Sequence, residues 1–222
     1  ICRALHKQHG LSLNVEHAFS CEIEPFKQAY IERNFAPPLL FRDIRELDRD
    51  EATTAYGASR TVPGGVDILI AGTSCVDYSA LNNQQKDLDQ KGESGQTFWG
   101  MLGWVRRHRP PIVIQENVCG APREQMKTYY AKEGYSATFL RVDTKQHYVP
   151  HTRTRVYLLA IDNNAERDVD NGRRLTCILY ANPSWQPGDG GELRLYPQER
   201  VAVDVGAIGV VVVGRRVVVA GA

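Results

Sequence analysis

Acidic and thiol side chains follow four apolar segments of the sequence. Glu22, Asp43, Cys75 and Glu116 each lie at, or just past, the end of a segment with strand-like composition. A carboxylate in the position of Glu22 suits hydrogen bonding to ribose hydroxyls, and one in the position of Asp43 suits an adenine amino group. Cys75 would supply a thiolate, the reactive form of cysteine, and we expect it to face the same crevice as Glu116.

Two arginines form a second group with the potential for chemistry. Arg153 and Arg155 are separated by one residue in an extended segment, so both side chains point to the same face. Guanidinium groups placed in this way suit a base carbonyl or a phosphate, because they form charge-assisted hydrogen bonds. The alternative is a solvated strand face, where exposed arginines contribute little.

Each of the other side chains also has a purely structural alternative. A lone cysteine is often a buried apolar residue, and Cys75 could fill that role. Glu116 could cap a turn or pair with Arg123. Glu22 and Asp43 could be helix N-caps, a position where short acidic side chains are common.

Short apolar runs alternate with helical patterns along the first 162 residues. Strands that are apolar throughout are typical of a sheet that is covered on both faces. The alternation predicts an α/β fold with a parallel sheet, and ligands collect at the carboxyl ends of such strands. The predicted strands cover 13–23, the vicinity of Leu40, 65–72, 111–118, 137–144 and 153–162, and the predicted helices cover 25–35, 97–109 and 124–135.

The composition of the chain excludes several classes of protein. Its 222 residues carry 27 basic and 26 acidic side chains, which gives no global signature of nucleic-acid or membrane binding. None of the five cysteines is spaced as C-x-x-C, so a disulfide framework or a thiolate zinc site is not expected. A reduced intracellular compartment fits this cysteine content. The longest apolar stretch, 207–214, is too short to span a bilayer.

Residues from about 22 to 162 resemble the catalytic domain of the cytosine-5 DNA methyltransferases. The resemblance rests on five motifs that occur in the order and with the gaps of that family. They are "SCEIEPFKQAY" (20–30), which resembles the ribose-binding segment, "FRDI" (41–44), the adenine-contacting segment, "GTSCVDYS" (72–79), the nucleophile loop, "QENV" (115–118), the Glu-Asn-Val motif, and "HTRTRVYLLAI" (151–161), the Gln-x-Arg-x-Arg motif with its strand.

The resemblance implies a covalent route to methylation of cytosine at carbon 5. Cys75 would add to carbon 6 of a base flipped out of the stack. Glu116 would hydrogen-bond the ring at N3 and at the exocyclic amine, and Arg153 and Arg155 would grip the base carbonyl and a nearby phosphate. Further substrate contacts are expected at Ser79 and Asn117.

The resemblance also implies S-adenosylmethionine as the methyl donor. Glu22 would bind its ribose and Asp43 its adenine, and Phe98 would pack against the adenine ring. The expected fold is therefore a Rossmann-like methyltransferase sheet. The expected substrate is DNA, although RNA remains open because a related branch of the fold methylates transfer RNA.

Three departures from the family pattern stand in the sequence. The glycine-rich first motif is not found, which predicts a sheet truncated at the N-terminus that lacks one buried strand. Ser74 stands where the family usually has proline, and proline would stiffen the loop. No target-recognition domain follows residue 162. The chain does not begin with Met, and we expect it to be a fragment.

The remaining residues suggest a second, β-rich piece. The segment "GRRLTCILYANPSWQPGDGGELRLYP" covers 172–197. With its flanks, over about 168–216, it resembles part of the prolyl 4-hydroxylase branch of the iron- and 2-oxoglutarate-dependent oxygenases. The segment "DVDN" puts Asp168 in place of a histidine ligand and Asp170 in place of the aspartate, and no histidine follows His151. Iron and 2-oxoglutarate are therefore not expected to bind. The Val/Gly-rich tail, 205–222, predicts strands without a partner sheet.

The sequence thus predicts a partial methyltransferase domain over 1–163 and a partial oxygenase-like segment over 164–222. An oxygenase and an inactive remnant are the alternatives to methyl transfer. No membrane association and no targeting signal are predicted, which favours the nucleus in a eukaryote and the cytoplasm otherwise. The sequence leaves the oligomeric state and the target sequence open.

Overall fold

The computed structural model describes residues 16–79, 82–89, 92–147, 152–165 and 216–221, all of which belong to one of two compact units. Nine strands and three α-helices occur in these ranges. The strands are β1 (Glu16–Cys21), β2 (Leu40–Phe41), β3 (Glu51–Thr53), β4 (Ser59–Thr61), β5 (Ile68–Gly72), β6 (Ile112–Asn117), β7 (Tyr135–Asp143), β8 (Thr154–Asp162) and β9 (Arg216–Gly221). The helices are α1 (Pro25–Phe35), α2 (Glu93–His108) and α3 (Arg123–Lys132).

Seven of the strands form a single sheet in the order β2-β1-β9-β5-β6-β8-β7. The first five strands in this order, β2, β1, β9, β5 and β6, are parallel to one another. Strand β8 runs antiparallel to both β6 and β7. The predicted α/β class is confirmed, but the prediction of a parallel sheet holds only for the first five strands. The connection from β7 to β8 is short, and short connections join antiparallel strands. Strands β3 and β4 form a separate hairpin that we did not predict.

Strand β9 lies at the centre of the sheet, between β1 and β5. It pairs in parallel with both neighbours, so that Val217 is in register with His17 on one side and with Ile68 on the other. One prediction was therefore wrong, because this part of the tail does have partners, one on each side. A run of valines suits a central strand, because β-branched residues favour strands that are covered on both faces.

Helix α2 supplies several of the largest buried side chains. Trp104 packs edge-on against Phe19 of β1 with 5.8 Å between ring centroids, and Phe98 packs against Tyr130 of α3 at 6.3 Å. The helix begins at Glu93, four residues before the predicted start. Its N-cap, Gly92, makes no side-chain cap hydrogen bond. The early start depends on a partner that is distant in sequence, since the Ser94 N–H donates to the Asp77 carboxylate at 2.8 Å.

Gly100 permits a close approach between α2 and the segment after β2. A Cβ at this position would lie 2.7 Å from the Cα of Arg45 and 2.8 Å from the carbonyl oxygen of Ile44. In an open helix Gly→Ala is stabilising. Here we expect Gly100→Ala to lower the free energy of unfolding by about 1–3 kcal/mol, because backbone must shift to make room. Urea denaturation measures the change, and a stabilised variant would contradict the packing.

Within the described residues, no helix is both long enough and apolar enough to cross a membrane.

Candidate active site

The carboxyl edge of the sheet brings together residues from four strands. Glu22 follows β1, Asp43 follows β2 after one residue, Cys75 follows β5 after two, and Glu116 lies at the penultimate position of β6. Because β8 is antiparallel to β6, the start of β8 lies at this same edge, and Val156 is in register with Asn117. The predicted convergence at strand ends is therefore present in the fold.

An ion pair joins two of the predicted catalytic residues. The Arg155 Nε lies 3.0 Å from the Glu116 Oε1, and both side chains are partly exposed. Glu116 is in register with Gly72 of the neighbouring strand, and a Cβ at Gly72 would lie 3.5 Å from the Glu116 Oε2. The carboxylate therefore stands over Gly72, three residues before Cys75. Its partner is Arg155 and not Arg123.

Cys75 lies in the loop that follows β5, immediately before a 3₁₀ helix that covers Val76–Tyr78. Its side chain is a free thiol that is neither fully buried nor fully exposed. Cys21, by contrast, is a buried core residue, and desolvation raises its pKa well above the usual range of a thiol. Cys75 thus differs from a space-filling cysteine, because its loop lies at the carboxyl edge and the residue is not buried.

Asn117 is directed into the protein towards the Cys75 loop. It is 5% exposed, and its Nδ2 donates to the Thr73 Oγ1 at 3.0 Å and to the Thr73 carbonyl at 3.3 Å. Its Oδ1 accepts from the Val118 N–H at 2.8 Å. Asn117 therefore fixes both its own turn and the start of the loop, and its contact with the substrate stays a prediction. Ser79 ends the 3₁₀ helix, and its carbonyl accepts from the Gln85 side chain at 3.1 Å.

The contact between Asn117 and Thr73 is open to a direct test. Asn117→Asp replaces the donating amide with a carboxylate that faces a carbonyl oxygen. We expect the free energy of unfolding to fall by about 2–3 kcal/mol, because a buried acceptor loses its donor and a charge is buried without a partner. Urea denaturation at neutral pH provides the measurement. Asn34→Asp is the control, because the Asn34 amide makes an exposed hydrogen bond to the Tyr30 carbonyl at 2.8 Å. An equal loss in both variants would refute the contact.

Glu22 is buried at the end of β1, with 5% exposure. Its Oε1 accepts from the Glu24 N–H at 3.0 Å and lies 3.8 Å from the Lys27 Nζ. The N-cap position of α1 is Glu24, not Glu22. Glu22 is therefore a buried carboxylate at the sheet edge and not a helix cap.

Asp43 serves as the N-cap of a 3₁₀ helix, Ile44–Glu46, which is one of the alternatives drawn from the sequence. Its Oδ1 accepts from the Arg45 N–H at 2.9 Å, and the Arg45 guanidinium binds both carboxylate oxygens. Partial burial acts to raise the pKa of Asp43, but the hydrogen bonds and the charge of Arg45 outweigh it and hold the pKa below its usual value. The carboxylate is thus fully engaged within the protein.

Phe98 has no exposed surface to offer a ligand. The side chain is 0% exposed and packs edge-on against Trp99, with 5.4 Å between ring centroids. The first two turns of α2 turn the ring into the core, and the contact with adenine stays a prediction.

Tyr157 is a neighbour of the site that we did not predict. It is directly opposite Glu116 in the β6–β8 register and is 36% exposed. Its pKa is raised, first by burial and then by the charge of Glu116, while Arg153 and Arg155 act to lower it. The sequence did carry a signal, since Tyr157 continues the two-residue period of the arginines. Arg153 itself is exposed, and its N–H donates to the Thr144 Oγ1 at 2.8 Å.

The predicted oxygenase-like segment falls outside the described residues except for Arg216, and so does its candidate ligand Asp170. Within the described ranges, no group of histidine, cysteine and acidic residues could hold a metal ion. The matches to known proteins given below lend this segment no support.

Comparison with known proteins identifies relatives for most of the chain. The model of the family described as C-5 cytosine-specific DNA methylase matches residues 4–183, and this range crosses the predicted domain boundary at 163. The chain is 62% identical over 168 residues to the DNA (cytosine-5-)-methyltransferase DMT5 of Cryptococcus neoformans var. grubii, a match that covers 76% of this chain and 7% of the relative. It is 33% identical over 209 residues to the DMT5 of Verticillium dahliae, covering 72% and 9% respectively.

Among solved structures, a methyltransferase of Entamoeba histolytica superposes with a TM-score of 0.50 at 14% identity, over 72% of this chain and 49% of the other. At that identity the likeness shows the fold alone, and the fold is that of the predicted methyltransferase sheet. The chain spans less than a tenth of the length of the two fungal relatives. Since the family match takes in most of its residues, the chain belongs to the C-5 cytosine-specific DNA methylases.

Proposed function

We propose that this chain carries the catalytic part of an enzyme that methylates cytosine at carbon 5 in DNA, with S-adenosylmethionine as the methyl donor. The observation that carries the proposal is the Glu116 carboxylate, which is paired with Arg155 and stands over Gly72, next to the loop of a free cysteine that is not buried. The names of the two fungal relatives support the same activity.

Cys75 is the nucleophile in this proposal. Carbon 5 of cytosine is a poor nucleophile until the aromatic ring is disrupted. A bond from the Cys75 sulfur to carbon 6 moves the electron pair of the C5–C6 double bond towards carbon 5, which can then attack an electrophile. After methyl transfer, loss of the proton from carbon 5 restores the double bond and expels the thiolate.

Glu116 and Arg155 act on the opposite edge of the base. A carboxyl group at Glu116 can bond to N3 and to the exocyclic amine, which stabilises the charge that develops as the thiolate adds. Arg155 holds that carboxyl group in place at 3.0 Å. Arg153, which is exposed, is available for the base carbonyl or for phosphate.

The carboxylates of the site fit the cofactor unequally. Glu22 is buried at the carboxyl edge and has one oxygen, Oε1, engaged within the protein, so its second oxygen suits a ribose hydroxyl. Asp43 accepts four contacts from Arg45, about as many as a carboxylate accommodates. An adenine amino group would therefore have to displace Arg45. The cofactor supplies an electrophilic methyl group when it is bound.

Covalent trapping tests the proposal. In DNA that contains 5-fluorocytosine, carbon 5 bears fluorine in place of the proton that must leave, so the thiol cannot be released after methyl transfer. We expect a complex that survives denaturation, forms only with S-adenosylmethionine, and has the mass of protein, oligonucleotide and one methyl group. Unmodified DNA is the control. Trapping on RNA alone would move the substrate to RNA, and the absence of any complex with either would overturn the activity.

A further inference from the structure

The residues on both sides of Cys75 are hydrogen-bonded to the first turns of α2. The Ser74 N–H donates to the Thr97 Oγ1 at 3.1 Å, and the Asp77 N–H donates to the Ser94 Oγ at 3.0 Å. In return, the Ser94 N–H donates to the Asp77 Oδ2 at 2.8 Å. All four of these residues are buried, so water does not compete for these bonds.

The hydroxyl of Thr97 is oriented by a second bond. It donates to the Ser94 carbonyl at 3.0 Å, which leaves an oxygen lone pair free to receive the Ser74 N–H. The Ser74 hydroxyl donates to the Glu93 Oε1 at 2.8 Å. A side chain at Gly92 would collide with the Asp77 carboxylate, which explains a glycine at the cap of α2. The loop is therefore fastened before and after the thiol.

The two contacts that precede the thiol depend on Ser74, the residue that departs from the family pattern. A proline before Cys75 would have a fixed φ but no N–H to donate. Serine is freer in φ, and it supplies both an N–H and a hydroxyl, each of which has a partner on α2. The hydrogen bonds to α2 can thus supply the rigidity that the proline ring would otherwise give.

We propose that Ser94 and Thr97 are positioning residues for Cys75, which hold its loop in the geometry that reaches the base. They act through Ser74 and Asp77 and need not touch the substrate. The inference rests on the proposed role of Cys75 as nucleophile. Misplacement of a reacting group by about 1 Å can cost on the order of a hundredfold in rate.

Two substitutions at Thr97 separate the effect of losing the hydrogen bond from the effect of changing the side-chain volume. Thr97→Val keeps the shape of the side chain but removes the acceptor for the Ser74 N–H, whereas Thr97→Ser keeps the hydroxyl. Thr128→Val is the matched control, because the Thr128 hydroxyl makes a similar bond to its own helix, to the Glu124 carbonyl at 2.8 Å, on the exposed side of α3.

The hydrogen bonds that join Ser74 and Asp77 to Thr97 and Ser94 form a clamp on the Cys75 loop. Amide hydrogen exchange tests this clamp without any need for activity. We expect the Ser74 amide to exchange at least about tenfold faster in Thr97→Val, because a tenfold change corresponds to about 1.4 kcal/mol, the scale of one buried hydrogen bond. Thr97→Ser and Thr128→Val should exchange like the parent chain. Unchanged exchange in Thr97→Val, or no recovery in Thr97→Ser, would overturn the clamp.

Covalent capture then tests whether the clamp serves the reaction. We expect Thr97→Val to form the 5-fluorocytosine complex about tenfold more slowly, while iodoacetamide alkylates Cys75 at least as fast as in the parent chain. Equal losses in both reactions would show a damaged thiol and not a misplaced one, and would overturn the positioning role. If the parent chain forms no complex, the proposed function fails, and hydrogen exchange still decides whether the clamp exists.

Discussion

Replacing Cys75 with serine is expected to abolish formation of the 5-fluorocytosine complex and to lower methyl transfer by at least about three orders of magnitude, as removal of a nucleophile does in other enzymes. A thiol is a few per cent thiolate at neutral pH, whereas a serine hydroxyl is essentially never ionised there. The substitution is close to isosteric, and Cys75 is outside the hydrophobic core, so stability should change little. Denaturing electrophoresis with labelled cofactor gives the measurement.

Cys119 provides the matched control for this experiment. It is also a free thiol of intermediate exposure, and it lies just beyond the end of β6, near the same edge of the sheet. Cys119→Ser should retain the complex in full. Capture that survives in Cys75→Ser but disappears in Cys119→Ser would show that the nucleophile is Cys119 and not Cys75.

Glu116→Gln is expected to lower methyl transfer by about a hundredfold to a thousandfold, the usual cost of removing one group that stabilises developing charge. Glutamine has nearly the same size, but it carries no charge, so it leaves the guanidinium of Arg155 without a counter-charge and presents no carboxylate to the exocyclic amine. Single-turnover methylation measures the rate. Alkylation of Cys75 should stay unchanged, because the substitution alters the far side of the base and not the thiol loop.

The ion pair of Glu133 with Arg106 offers a comparison that is remote from the carboxyl edge. Glu133→Gln removes a similar charge pair, and exposed pairs of this type are worth less than about 1 kcal/mol. Its methylation rate should match that of the parent chain. A similar loss of rate in both variants would mean that Glu116 acts through general stability and not through the base.

Much of the fold follows from local patterns in the sequence. Continuous apolar runs predicted β5 and β6. The two-residue spacing of Arg153 and Arg155 predicted that both lie on one face of an extended segment. The convergence of Glu22, Asp43, Cys75 and Glu116 followed from a general property of parallel sheets, that their carboxyl ends share an edge. These features depend on residues that are close in sequence or on topology alone.

Features that depend on distant partners were missed. The start of α2 is fixed by Asp77, which comes before the loop that leads into the helix. Phe98 is buried by aromatic neighbours on α2 and α3, and nothing in the sequence near the start of the helix indicates that burial. The engagement of Asp43 by Arg45 is local, but an acidic residue after a strand gives no sign of whether its charge is already satisfied.

The position of β9 has a consequence for how the molecule reaches its native state. Among the described strands, β1 and β2, which lead to Glu22 and Asp43, have their hydrogen-bonded link to the β5-β6-β8-β7 block through β9. That pairing links Glu16 with Arg216, a contact of very high sequence separation, and contacts of this kind slow folding. We therefore expect two sub-sheets to form early and to lack strand pairing with each other until β9 docks between them. The carboxylate for the cofactor lies at the end of one sub-sheet, and the thiol for the base lies at the end of the other.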